Sequence, residues 1–173
     1  DQLIVNLGSG ADTVSVRQSA DSVWTRLNLG GGDDSARIGV GNSLAGILGK
    51  VSIEGEAGVD SIDVDNSAVA SDTDGTLART SLTGFGMGDA DEGLAFGTVE
   101  QMRLVLGDGA NTLTLLGVGM ATEASLGGGN DTLVVSGTFG NFDADIAVDG
   151  QVGTDLLSLS FDQSTSFTLD ADT

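Results

Sequence analysis

The chain has 173 residues, with 28 Gly, no Pro, no His and no Cys, and its 26 acidic and 6 basic residues give a formal net charge of −20. The lack of His and Cys excludes Ser–His–Asp and Cys–His catalysis and the usual zinc sites. The acidic charge excludes nucleic acid as a partner, because phosphate binding requires a basic surface. No apolar run approaches the length of a membrane span. The length corresponds to a single domain, residues 1–173.

One short pattern recurs six times along the chain: a glycine-rich turn, a polar residue and a strand. The copies, in chain order, are LGSGADTVSV (7–16), LGGGDDSARI (29–38), GEAGVDSIDV (55–64), LGDGANTLTL (106–115), LGGGNDTLVV (126–135) and GQVGTDLLSL (150–159). The third and sixth copies have one more residue between their glycines. The polar residues at the shared position are Asp12, Asp34, Asp60, Asn111, Asp131 and Asp155.

Apolar residues alternate around each copy, as at Val14 and Val16, which places them on one face of a strand. A unit of 20–26 residues cannot bury that face alone and must stack on its neighbours. The pattern therefore predicts an all-β, right-handed parallel β-solenoid of about seven rungs. A sandwich of hairpins is the alternative. The six polar residues are expected in one column, and the degenerate GFGMGD at 84–89 is expected to supply a missing turn.

The chain opens and closes within the repeated pattern. Nothing in the sequence resembles a polar or helical cap, so the strands around Leu3–Leu7 and Phe161–Leu169 are expected to leave open edges. We therefore expect a segment of a longer repetitive chain, or a subunit that polymerises end to end. Its expected partners are further copies or adjoining repeats, with surface glycan as a second possibility.

The stretch GGGNDTLVV resembles the nonapeptide G-G-x-G-x-D-x-U-x of RTX (repeats-in-toxin) calcium-binding proteins. The usual RTX repeat has nine residues, whereas one motif here serves 20–26, and Leu7, Leu29, Leu106 and Leu126 replace its first Gly. The chain is more similar to the long, degenerate RTX-like repeats of giant bacterial surface and adhesin proteins. The resemblance implies a parallel β-roll in which turn carbonyls and Asp side chains bind Ca²⁺. The implied metal ligands are Asp12, Asp34, Asp60, Asn111, Asp131 and Asp155.

Calcium suits such turns chemically, because Ca²⁺ accepts six to eight oxygen ligands in tolerant geometry. The alternative needs no metal: each Asp or Asn accepts backbone N–H groups of its own turn. Asn111 favours this alternative. A separate acidic cluster, Asp60, Asp63 and Asp65 with Asp72 and Asp74, is a weaker candidate for a loop site.

The sequence favours a structural role over catalysis. Carboxylate pairs such as Asp33/Asp34, Asp63/Asp65 and Asp89/Asp91 are present, but the basic or aromatic sugar-binding cluster of a polysaccharide-degrading β-helix enzyme is not. We expect a calcium-stiffened extracellular module that builds a bacterial surface filament, sheath or adhesin. A glycan-binding module is the alternative, and it predicts an aromatic-lined lateral groove. Trp24 is expected to pack at a rung corner or to bind sugar.

Overall fold

The computed structural model describes residues 1–89 and 92–161, which are nearly all β. Within these ranges no helix is long and apolar enough to cross a membrane. The elements are β1 (Gln2–Asn6), β2 (Thr13–Val16), β3 (Trp24–Gly31), β4 (Ser35–Ile38), β5 (Val51–Ala57), β6 (Ser61–Asp65), β7 (Asp74–Ala78), β8 (Ser81–Gly84), β9 (Leu94–Gly97), β10 (Gln101–Val105), β11 (Thr112–Leu115), β12 (Ala121–Ser125), β13 (Thr132–Gly137), a 3-10 turn (Phe139–Asn141), β14 (Ile146–Asp149) and β15 (Leu156–Phe161).

The strands form two sheets between which the chain alternates. Sheet A has the order β1-β3-β5-β9-β8-β7-β11-β13-β15, and sheet B has the order β14-β12-β10-β6-β4-β2. Pairing is parallel throughout, except where β8 runs antiparallel to β7 and β9. The result is a parallel β-solenoid of about seven turns, which confirms the predicted fold class.

The core lies between the sheets and is built by the predicted alternation. In β6, Ile62 and Val64 are buried, while the residues that alternate with them, Ser61, Asp63 and Asp65, are half-buried. Their register partners on β4, Ala36 and Ile38, are also buried. Equivalent positions therefore stack from rung to rung in continuous apolar rows, which is how short units without their own core become stable.

A hairpin inserted into sheet A interrupts the regular stacking. Strands β7 and β8 lie between β9 and β11, whereas in sheet B β6 pairs directly with β10. The segment 84–89 is therefore no copy of the repeated turn, and that prediction is wrong. The segment begins at the last residue of β8 and continues with Phe85, which is buried in the core. There the buried Asn66 amide donates to the Phe85 carbonyl and accepts the N–H of Leu44.

Burial falls toward both ends of the stack. Leu113 on β11 is fully buried, but Leu157, two rungs along the same row, is 45% exposed. At the opposite end, Leu3 on β1 is 52% exposed. The outer edges of β1 and β2 pair with no described strand, as the open-edge prediction requires. Of the segment Phe161–Leu169, all but Phe161 lies outside the described residues.

Candidate functional site

The six motif residues form two columns on opposite edges of the solenoid. Asp12, Asp34 and Asp60 each precede a strand of sheet B, whereas Asn111, Asp131 and Asp155 each precede a strand of sheet A. The prediction of a single column is therefore wrong. The same turn serves either edge, because it needs only a strand on each side. Each rung has a turn on both edges, and between Asp60 and Asn111 the motif moves from the turn that precedes sheet B to the turn that precedes sheet A.

Backbone-to-carboxylate hydrogen bonds connect successive rungs of the first column. The N–H of Asp12 donates to Oδ1 of Asp34 at 2.7 Å, and the N–H of Asp34 donates to Oδ1 of Asp60 at 2.9 Å. The N–H of Asp60 then donates to Oε2 of Glu100 at 2.8 Å. Glu100 was not predicted as a member. The sequence signal was its place directly before the strand QMRLV.

The second column repeats this arrangement on the other edge. Oδ1 of Asn111 accepts the N–H of Thr73 at 3.1 Å, and Oδ1 of Asp131 accepts the N–H of Asn111 at 2.8 Å. Oδ1 of Asp155 accepts the N–H of Asp131 at 3.0 Å. Thr73 was also missed, because the segment 67–80 resembles a loop by composition. Each column thus runs in one direction, from an N–H to the side chain of the following rung.

A second set of side chains ties the same turns in the opposite direction. The side chain of the residue just before the column position accepts a backbone N–H from the following rung at 2.8–2.9 Å. The donor and acceptor pairs are Val59 to Asp33, Ala110 to Asp72 and Thr154 to Asn130. Every such bond satisfies a backbone donor that the turn would otherwise leave open. Asp33 and Asp34 are therefore each committed to a structural hydrogen bond.

The glycines of the motif allow the turns to stack closely. A Cβ at Gly58 would overlap the carbonyl oxygen of Gly32, and a Cβ at Gly32 would overlap that of Gly10. All three have positive φ, which glycine adopts without strain. In the third copy, Glu56 lies opposite Gly30 and has a φ of 73°. The apparent extra residue between its glycines is thus a replaced glycine rather than an insertion.

One carboxylate oxygen in each of three column residues is buried without a partner. Asp34, Asp60 and Asp131 are 2%, 0% and 1% exposed, and among the described residues their Oδ2 atoms receive no hydrogen bond. At the equivalent atom, Asn111 Nδ2 donates to the carbonyls of Gly107 and Leu126, both at 2.9 Å. At the Asn111 turn this position thus faces two carbonyl acceptors, which a hydrogen-bond donor or a cation can satisfy.

Burial has an electrostatic consequence at two of these sites. The pKa of Asp60 is raised chiefly by desolvation, with further contributions from the charges of Asp34, Glu100 and Asp33, and is lowered by its hydrogen bond with the Asp34 backbone. Desolvation likewise raises the pKa of Asp131, and the neighbouring Asp155 adds to the effect. Neutralisation by a proton or a cation would relieve the cost of both buried charges.

The column residues offer oxygen ligands of the type that a hard cation prefers, but they do not form a cluster of acidic side chains around one point. Carboxylate and main-chain carbonyl oxygens are the ligand types that Ca²⁺ prefers, and at the Asn111 turn two such carbonyls surround the equivalent side-chain atom. However, no three acidic side chains within the described ranges converge on one point. The acidic cluster proposed from Asp60 to Asp74 is dispersed. Asp60 lies in the first column, and Asp63 forms ion pairs with Arg37 and Arg103 on the outer face of sheet B.

Among the described residues, a depression on the outer face of sheet B differs from the aromatic groove expected of a glycan-binding module. This depression of about 590 Å³ is lined by charged residues, such as Asp63, Arg103 and Glu123, and by apolar residues, such as Ile62 and Met102, with no aromatic side chain. Trp24 is 41% exposed and lies with its ring centroid 5.9 Å from Nζ of Lys50.

Asp91, of the carboxylate pair Asp89/Asp91, lies outside the described residues.

No protein-family model, curated protein or solved structure matches this chain.

Proposed function

We propose that the chain is a structural module of an extracellular bacterial filament, sheath or adhesin, extended by end-to-end stacking and stiffened by calcium. The observation that carries the proposal is the loss of burial at both ends of a continuous core. Leu3 and Leu157 face the core side of their sheet yet remain about half exposed. Another rung on each end would cover them and pair the open strand edges.

Calcium enters the proposal through the unpartnered oxygens of Asp34, Asp60 and Asp131. A cation there would neutralise buried carboxylates and offset part of the repulsion in a chain of net charge −20. When bound, it would supply no reaction chemistry. It would add ligand bonds between neighbouring turns, which the folded chain alone can offer. The extracellular location follows from this proposal, since free calcium is plentiful there.

Thermal unfolding with and without calcium tests the cation. At fixed ionic strength we expect millimolar calcium to raise the Tm of the metal-free protein by about 2–8 °C, because ligands that bind only the folded state stabilise it. Asp131→Ala is expected to reduce this rise. The control Asp21→Ala, at an exposed position outside the columns, is expected to keep it. Equal melting curves with calcium and with chelator would remove calcium from the proposal.

A further inference from the structure

The first and last strands of sheet A have complementary faces. On β15, the inward-facing Leu157 and Leu159 are 45% and 37% exposed, and on β1 the inward-facing Leu3 is 52% exposed. Neither strand contains a charged residue, although the chain is strongly acidic. Edge strands are commonly protected from pairing by charges, Pro or bulges. These two strands have no charge or Pro to prevent contact between them.

Asp1 occupies the second-column position of the first rung. The residue after each column position donates its N–H to the column residue of the preceding rung: Leu156 to the Asp131 carbonyl at 2.8 Å, and Thr132 to that of Asn111 at 2.8 Å. Trp24 donates to the Asp1 carbonyl in the same way, at 3.0 Å. Asp1 before β1 is thus equivalent to Asp131 before β13 and Asp155 before β15.

In the described part of the chain, the second column ends with an unused hydrogen-bond donor on one end of the solenoid and an unused acceptor on the other. Within the described residues, the N–H of Asp155 has no acceptor, and the carboxylate of Asp1 accepts no hydrogen bond. In the inner rungs of this column, the N–H of each column residue donates to Oδ1 of the column residue in the following rung, as the Asp131 N–H does to Asp155. One end therefore presents the donor, and the other presents the acceptor, of the same repeated bond.

We propose that β15 of one copy pairs in parallel with β1 of a second copy, in a register fixed by Asp155 and Asp1. The Asp155 N–H donates to the Asp1 carboxylate, and the Gln2 N–H donates to the Asp155 carbonyl. Leu157 then lies beside Leu3, and Leu159 beside Val5. This inference rests on the proposed end-to-end stacking and adds its partner and register. Because the contact joins two different edges, it does not close and leads to a linear chain of copies.

Engineered cysteines test the register, since the wild-type chain has none. In the proposed contact Ile4 and Ser158 are direct neighbours on the outer face. Adjacent strands lie about 4.8 Å apart, within the Cα separation of a disulfide. Mixing the folded Ile4→Cys and Ser158→Cys variants under mild oxidation is expected to give a covalent dimer. The control mixture, Asn6→Cys with Leu156→Cys, is offset by four residues, or about 13 Å, and is expected to give at least tenfold less.

The outcomes separate this inference from the proposed function. Preferential cross-linking of Ile4→Cys with Ser158→Cys supports both. Association in sedimentation velocity with equal cross-linking of the two mixtures, or with none, overturns the register and leaves end-to-end stacking in place. Folded variants that stay monomeric at every concentration overturn both. Circular dichroism of each variant before mixing establishes that the fold is retained.

Discussion

Gly58→Ala is expected to destabilise the solenoid by about 2–5 kcal/mol. Its new Cβ would overlap the carbonyl oxygen of Gly32 in the rung below, and its φ of 144° lies in a region that L-residues rarely adopt. Overpacking costs about 1–3 kcal/mol and the backbone strain about 1–2 kcal/mol. Urea denaturation followed by circular dichroism measures the loss as a lower midpoint.

Gly10→Ala is the matched control for this prediction. Gly10 belongs to the same glycine row and has a φ of 114°, and a methyl group added to its Cα would meet no heavy atom within 4 Å. Its substitution should therefore cost only the backbone strain, about 1–2 kcal/mol. Equal losses for the two variants would show that close stacking of the turns contributes nothing.

Two substitutions in the second column, Asn111→Asp and Asp131→Asn, are expected to change the free energy of unfolding in opposite directions. Asn111→Asp removes the donors to the Gly107 and Leu126 carbonyls and leaves a buried oxygen beside them, at a cost of about 1–3 kcal/mol. Asp131→Asn supplies a donor where Oδ2 has no partner, and should stabilise the metal-free protein at neutral pH by about 1 kcal/mol. Denaturation midpoints in calcium-free buffer test both changes. A loss from Asp131→Asn as large as that from Asn111→Asp would contradict this account of the site.

The raised pKa of Asp131 predicts a pH dependence of stability, which Asp131→Asn tests. The folded-state pKa of Asp131 is raised, so the folded protein binds its proton more tightly than the unfolded chain does. That contribution is fully present below the unfolded pKa of about 3.9 and is lost as the pH rises through the folded pKa. Metal-free wild type should therefore be more stable near about pH 5 than near about pH 7.5. Asp131→Asn should reduce this difference, and an unchanged difference would mean that the residue does not titrate in this way.

The fold was predictable because its determinants are local and repeated. Alternation such as Ile62 and Val64 indicates a strand face, and the paired glycines indicate a turn that must stack on a copy of itself. The hairpin of β7 and β8 was not predictable in this way. It joins the sheet through antiparallel pairing of a segment that lacks the motif, and its Phe85 fills space that only the assembled core defines.

The candidate site was predictable by residue but not by arrangement. The motif identified all six polar positions, but nothing local distinguishes a turn leaving sheet A from one leaving sheet B. Glu100 and Thr73 complete the columns without motif glycines before them, because the column bond requires only a side-chain oxygen or a backbone N–H at the right rung. The unpartnered Oδ2 atoms depend on burial by neighbouring rungs, which no single repeat reveals.

Negative-stain electron microscopy of the wild-type chain tests the central claim of end-to-end stacking most directly. Images taken over a series of protein concentrations in calcium should show unbranched rods that lengthen in steps of one molecule at constant width. The proposed calcium binding predicts that rods formed in chelator are fewer and shorter than rods formed in calcium. Particles of a single length at every concentration, or sheets that grow sideways, would contradict the account.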